Sequence, residues 1–171
     1  ALGYATEANG EASFAVGEFS IAGGDFSVAM GLNSQANGSN SYAIGSNTTA
    51  SNSAVFVTGY NTTGQGYASF VFGDGSSTSW AGSYSLAGGY NCTANGVASV
   101  SIGYTNQAPG NYAGAFGFGT SASGSQSFAV GYNTSATGNL AFSAGNTTTA
   151  QSYASLIIGR SRLPGPVGML M

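Results

Sequence analysis

Residues 60–73 read YNTTGQGYASFVFG, and residues 90–103 read YNCTANGVASVSIG. Both end on a glycine, keep small residues in matching places and set two bulkier residues two apart just before that glycine. The closing glycine recurs along almost the whole chain, at Gly3, Gly17, Gly31, Gly45, Gly59 and Gly73. After one sixteen-residue step it resumes at Gly89, Gly103, Gly117, Gly131, Gly145 and Gly159. Self-similarity at a short fixed period marks a stacked repeat, each repeat being one coil of a solenoid. Twelve glycines bound eleven coils. At a strand spacing of about 4.8 Å these would stack into a rod roughly 50 Å long.

Each coil is numbered from the residue after one repeat glycine (position 1) to the next glycine (position 14). Position 5 is alanine in nine coils, from Ala8 and Ala22 to Ala136 and Ala150. Position 7 is usually a second glycine, as in Gly10, Gly24, Gly38, Gly66, Gly96, Gly110, Gly124 and Gly138. Two glycines seven apart suit two tight corners that need positive φ or close backbone approach. Position 11 carries Phe14, Val28, Tyr42, Phe56, Phe70 and Phe128; position 13 carries Val16, Met30, Ile44, Phe72, Ile102 and Phe116. Bulky residues two apart with small ones between them give a strand with one well-filled face. The bulky ladders are expected to be buried between adjacent coils. The small residues at positions 10 and 12 are expected to form a flat outer face able to pack against a neighbouring chain.

No stretch has helical spacing. The fold class is therefore all-β, a parallel β-solenoid or β-roll of about eleven fourteen-residue coils. Residues 1–159 form the repeat domain, with residues 74–89 as an irregular coil inside it. Residues 160–171 are a C-terminal extension or inter-subunit arm.

Segments such as Ser27-Val28-Ala29-Met30-Gly31, Ser41-Tyr42-Ala43-Ile44-Gly45, Ser99-Val100-Ser101-Ile102-Gly103 and Ser127-Phe128-Ala129-Val130-Gly131 resemble the head domain of trimeric autotransporter adhesins of the YadA type. The resemblance covers residues 4–159. It implies a left-handed parallel β-roll, a homotrimer, and an adhesive surface held away from a cell or virion. The chain departs from that family in lacking heptads for a stalk and an anchoring barrel, and in its heavier Phe and Tyr content at the bulky positions.

Charge narrows the function further. Between Ala22 and Gly159 only Asp25 and Asp74 are charged, while Glu7, Glu11 and Glu18 lie near the start and Arg160 and Arg162 follow the last repeat glycine. A nucleic-acid binder needs a basic stripe to neutralise phosphates, and an anionic membrane surface needs the same. Neither would find one along this body. The 10 Phe and 10 Tyr argue against disorder, since disordered chains are poor in aromatics. No run of about 18 apolar residues supports a membrane span. The sequence has no signal peptide at Ala1 and reads as a mature chain or an excised segment.

Catalysis has no visible machinery. There is no histidine, a serine nucleophile would lack a base, and no metal-ligand cluster or carboxylate pair occupies the middle of the rod. No catalytic residue, metal or cofactor is assigned, and the chain is read as not an enzyme.

Four features remain as sites. Asn37, Asn47, Asn61, Asn91, Asn133 and Asn146 each head an N-x-Ser/Thr acceptor triplet, four of them at position 2. Position 3 is almost all hydroxyl-bearing, from Thr6 and Ser20 to Thr134 and Thr148; such a row would order water or ice, bind sugars, or hydrogen-bond along the stack. Cys92 interrupts it, as a small ladder residue or an interchain thiol. Trp80, the only tryptophan, sits with Tyr84 in the sixteen-residue coil and is a candidate ligand platform. At the ends, Arg160 and Arg162 are expected to meet Glu7, Glu11 or Glu18 of another copy, stacking rods head to tail. The tail also holds Gly165-Pro166-Val167 and Gly168-Met169-Leu170, two collagen-like triplets or an arm that adds to a neighbour's open edge.

The leading function is an extracellular structural and adhesive fibre subunit, working as a filament or as a trimeric head. The alternative is a discrete binding module for a glycan, a host receptor or ice, such as a viral tail-fibre head.

Overall fold

The computed structural model describes residues 1–160; Arg162 and the GPVGML segment lie outside the described residues. Among the described residues every element is a strand. Each coil contributes a five-residue strand, such as Phe14–Glu18, Val28–Leu32 or Phe128–Tyr132, and a two-residue strand, such as Ile21–Ala22 or Ser135–Ala136. The long strands form one 12-stranded sheet in strict coil order, and the short ones form an 11-stranded sheet. All pairings are parallel and shifted by one coil, as in Ala15↔Ala29 and Gly17↔Gly31. The sixteen-residue coil does not disturb this register: Phe70 pairs with Leu86 and Gly73 with Gly89.

Hydrogen bonding continues around the corners, which is why the coils stack without slipping. The position 2 amide donates to the position 1 carbonyl of the coil before, as in Asn33 N–H to Glu18 O at 2.8 Å. Position 9 does the same with position 8, as in Phe26 N–H to Glu11 O at 2.8 Å. Both corner positions are left-handed in every coil, and mostly without glycine: Asn47 has φ 53° and Leu140 φ 59°. This conformation costs an L-residue roughly 1–2 kcal/mol, and the repeated ladder bonds hold it.

The two glycines therefore have different duties. At position 14 the backbone needs φ near +125° and also approaches the next coil, so a Cβ on Gly117 would lie 2.1 Å from the Gly131 carbonyl oxygen. At position 7 φ is ordinary and only the approach matters; a Cβ on Gly24 would lie 2.1 Å from Gly38 O. Positions 2 and 9 add two further left-handed positions beside these glycines.

The interior reverses the expected packing. Positions 3, 5, 10 and 12 point inward, and the core consists of alanines such as Ala15, Ala29, Ala43, Ala122 and Ala129, all fully buried. The bulky residues at positions 11 and 13 point outward. The two sheets of a fourteen-residue coil lie too close together for anything larger than valine to fill the gap. Small side chains are thus the core, and the flat outer face expected at positions 10 and 12 does not exist.

The hydroxyl row at position 3 is likewise internal. Ser20 Oγ donates to Gly31 O at 2.8 Å and Ser34 Oγ to Gly45 O at 2.9 Å, tying position 3 to the glycine that closes the same coil. At position 10, Ser69 Oγ donates to Gly66 O at 2.8 Å. The water-, ice- or sugar-ordering role read into position 3 is thereby removed. Cys92 is buried in the same row, which fits the small ladder residue and leaves no thiol for an interchain bridge.

Candidate functional surface

With alanine inside, the larger side chains are displayed. Along the outer face of the long sheet, position 11 presents Tyr42, Phe56 and Phe70 in adjacent coils, with ring centroids 5.7 and 5.2 Å apart. Further along, Phe116 and Phe128 lie 5.2 Å apart and Phe128 and Phe142 5.4 Å apart. Gaps in the ladder are covered by neighbouring rings. A Cβ on Gly88 would strike the Phe72 ring, and one on Gly114 would strike that of Phe128. The face from Phe14 to Phe142 is apolar and carries no charged residue at position 11 or 13. Contiguous apolar surface beyond a few hundred Å² is rare on a monomer and marks an interaction site.

A second aromatic row follows the corner glycine at position 1. Tyr90, Tyr104, Phe118 and Tyr132 stack with centroids 4.7, 4.8 and 5.0 Å apart and planes within 16° of parallel. The ring spacing copies the spacing of the coils beneath it. This row was not singled out from the sequence, although tyrosine or phenylalanine fourteen apart at four successive coils is a visible signal.

The residues expected to carry function fall in separate places. Asn47, Asn61, Asn91 and Asn133 are exposed in one line at the left-handed corner of position 2. They form a ladder in part: Asn33 Nδ2 donates to Asn47 Oδ1 at 2.9 Å, and Asn47 Nδ2 to Asn61 Oδ1 at 3.1 Å. Asn146 lies one position earlier, where its Oδ1 accepts from the Thr147 hydroxyl. Asn37 occupies the opposite corner at position 6. Glu7, Glu11 and Glu18 are exposed in the first coils, and Arg160 is exposed at the other end beside Ile157 and Ile158. Ile157 occupies a core position yet is 38% exposed, because no described coil covers it.

Trp80 and Tyr84 both lie on the corner between the short and the long strand, and the structure adds Tyr67, whose ring meets that of Tyr84 edge-on at 5.5 Å. The two extra residues of the sixteen-residue coil form this corner. Ser79 to Gly82 is a turn closed by Gly82 N–H to Ser79 O at 2.9 Å, with Trp80 and Ala81 at its tip.

The model of the YadA head domain repeat matches this chain at residues 1–20, 8–34, 22–48, 36–53, 94–120, 108–134 and 122–150. These stretches cover more than half of the sequence. The chain belongs to the YadA head repeat family. No curated protein matches it. The family matches stop at residue 53 and resume at residue 94, so the aromatic corner around Trp80 lies in a stretch that departs from the common repeat.

Proposed function

We propose that this chain is a non-enzymatic adhesive head displayed on a cell or virion surface, working as a homotrimer. Three solenoids pack side by side through the outer faces of their long sheets and leave their remaining flanks for ligands. One observation carries this reading: the phenylalanine, tyrosine and aliphatic ladders at positions 11 and 13 run uncovered along the rod. A neighbouring copy with the same periodicity offers a matching ladder at every coil. Burying such a face contributes about 25 cal/mol per Å² of apolar surface before association costs.

Light scattering coupled to size exclusion tests it. The wild type is expected at three times the 16.8 kDa chain mass, and Ile102→Glu with Phe128→Glu at one times. Both side chains point away from the core, so the variant keeps its strand signal by circular dichroism. A monomeric wild type would end the trimer reading.

The ends favour a second, compatible reading. Arg160 is the only Lys or Arg among the described residues and stands beside uncovered Ile157, whereas Glu7, Glu11 and Glu18 are exposed on the first coils. Rods meeting end to end would join opposite charges and cover the open core. Electron microscopy of the native material separates strings from discrete heads, and Arg160→Glu is expected to shorten any strings. The row of Asn47, Asn61, Asn91 and Asn133 would line one edge of each rod with glycans in a host that attaches them, which intact-mass spectrometry of native material reads directly.

A further inference from the structure

We propose that Tyr67, Trp80 and Tyr84 form a binding site for a neutral pyranose oligosaccharide. This deepens the adhesive reading by naming a ligand class for one flank, and rests on it only in that an adhesin head presents a ligand site.

Three observations support the site. The first is exposure: Trp80 and Tyr84 are 60% and 63% exposed, on a chain whose regular corners mostly carry small or amide side chains. Large aromatic rings are left in water at a cost unless something covers them. The second is rigidity. Trp80 sits at the tip of the Ser79–Gly82 turn, and Ser79 N–H is held by Asn95 Oδ1 at 3.0 Å. The next turn holds Tyr84 in the left-handed conformation at φ 60°, and its amide donates to Tyr67 O at 2.8 Å. A corner whose backbone is held by hydrogen bonds loses little backbone freedom when a ligand arrives. The third is location, in the stretch where the family repeat is interrupted while the long sheet keeps its register.

The chemistry of the corner selects the ligand. A pyranose ring offers one face of C–H groups, which stacks on an aromatic ring, and a rim of hydroxyls that need donors and acceptors. Half-exposed Ser79, Ser83 and Gln65 supply hydroxyl and amide groups on the same corner of the two adjacent coils. Asp74 is the only charge in the coil and no cation lies in this part of the rod, so an acidic sugar or phosphate gains no countercharge. A neutral sugar meets both conditions.

The site lies at the corner that precedes the long strand Leu86–Tyr90, and all three rings belong to one chain. It therefore does not require the trimer. Trp80 is the only tryptophan, so its emission reports this corner alone. The test titrates the full chain with cellotetraose, maltotetraose and triacetylchitotriose up to about 10 mM, following tryptophan emission and calorimetric heat. At least one sugar is expected to give a saturable blue shift. Trp80→Ala should weaken its calorimetric affinity about tenfold, with Tyr84→Ala also weaker and Trp80→Phe intermediate. The Ile102→Glu, Phe128→Glu chain should bind as the wild type does, so loss of the trimer and loss of the site are read separately. No saturable response to any of the three sugars, or equal affinity in Trp80→Ala, overturns the proposal. An emission shift that follows protein concentration rather than sugar assigns the corner to self-association and overturns it as well.

Discussion

Gly117 and Gly119 stand two residues apart and answer to different constraints. Gly117 combines φ +123° with a Cβ position 2.1 Å from backbone oxygen, and neither can be relieved by a side chain moving. Gly117→Ala is expected to lower stability by about 3 kcal/mol or more, from backbone strain plus the overlap. Gly119 has φ +62°, and its Cβ would meet only the end of the Asn133 side chain. Other coils already solve that arrangement, with asparagine donating to asparagine along Asn33, Asn47 and Asn61. Gly119→Asn is expected to leave the thermal midpoint unchanged or raise it, and a fall comparable to that of Gly117→Ala would refute the distinction. Buried Asn106 is a third case. It donates to Ile102 O and Gly117 O at 2.7 and 2.8 Å and accepts from Thr120 N–H at 2.8 Å. Asn106→Ala strands all three groups and should cost about 3 kcal/mol in chemical denaturation. The period-fourteen glycine was legible because its absence from any coil would break the stack. The asparagine ladder was not, since the same letters spell glycan acceptors.

At the scale of the strand, the width of the coil is held constant by exchange of volume across it. Most coils set serine at position 10 and alanine at positions 12 and 5. Around Gly64 the long strands bring in Val55, Val57 and Val71, all buried, and position 5 shrinks to glycine. A Cβ on Gly64 would lie 2.5 Å from Val55 Cγ1 and 2.8 Å from Val57 Cγ2. Gly64→Ala alone is therefore expected to destabilise by about 1–3 kcal/mol through overpacking. Adding Val55→Ser and Val57→Ala returns that neighbouring coil to the regular serine and alanine and opens the space the new Cβ needs, so the triple variant should lose less than the separate effects sum to. Strict additivity in urea titrations would show that the three do not share one space. The same constraint explains which part of the fold the sequence left ambiguous. Alternation identifies two faces of a strand but not which one is inside. Here the deciding signal is variance. Position 11 runs from Gly114 to Phe128 within the chain, which a gap of fixed width cannot accept, whereas positions 5 and 12 stay small almost throughout.

For the whole molecule, an alanine core means that each coil buries little apolar surface by itself, and much of the large apolar side-chain area lies on the outer face of the long sheet. Stability and assembly are then one quantity. In the trimer reading, the thermal midpoint should rise with protein concentration, because association favours the folded state by mass action. Ile102→Glu with Phe128→Glu should abolish that dependence as well as lower the midpoint. Salt separates the two kinds of contact proposed for the rod. Positions 11 and 13 of the lateral face hold no charges to screen, so about 1 M salt should leave the trimer mass unchanged. The proposed contacts between Arg160 at one end and Glu7, Glu11 or Glu18 at the other would be exposed ion pairs, and the same salt should disperse end-to-end strings into single heads. Strings that persist in salt while the trimer falls apart would invert the assignment of these surfaces, making the ends the apolar joint and the aromatic face a site for another partner.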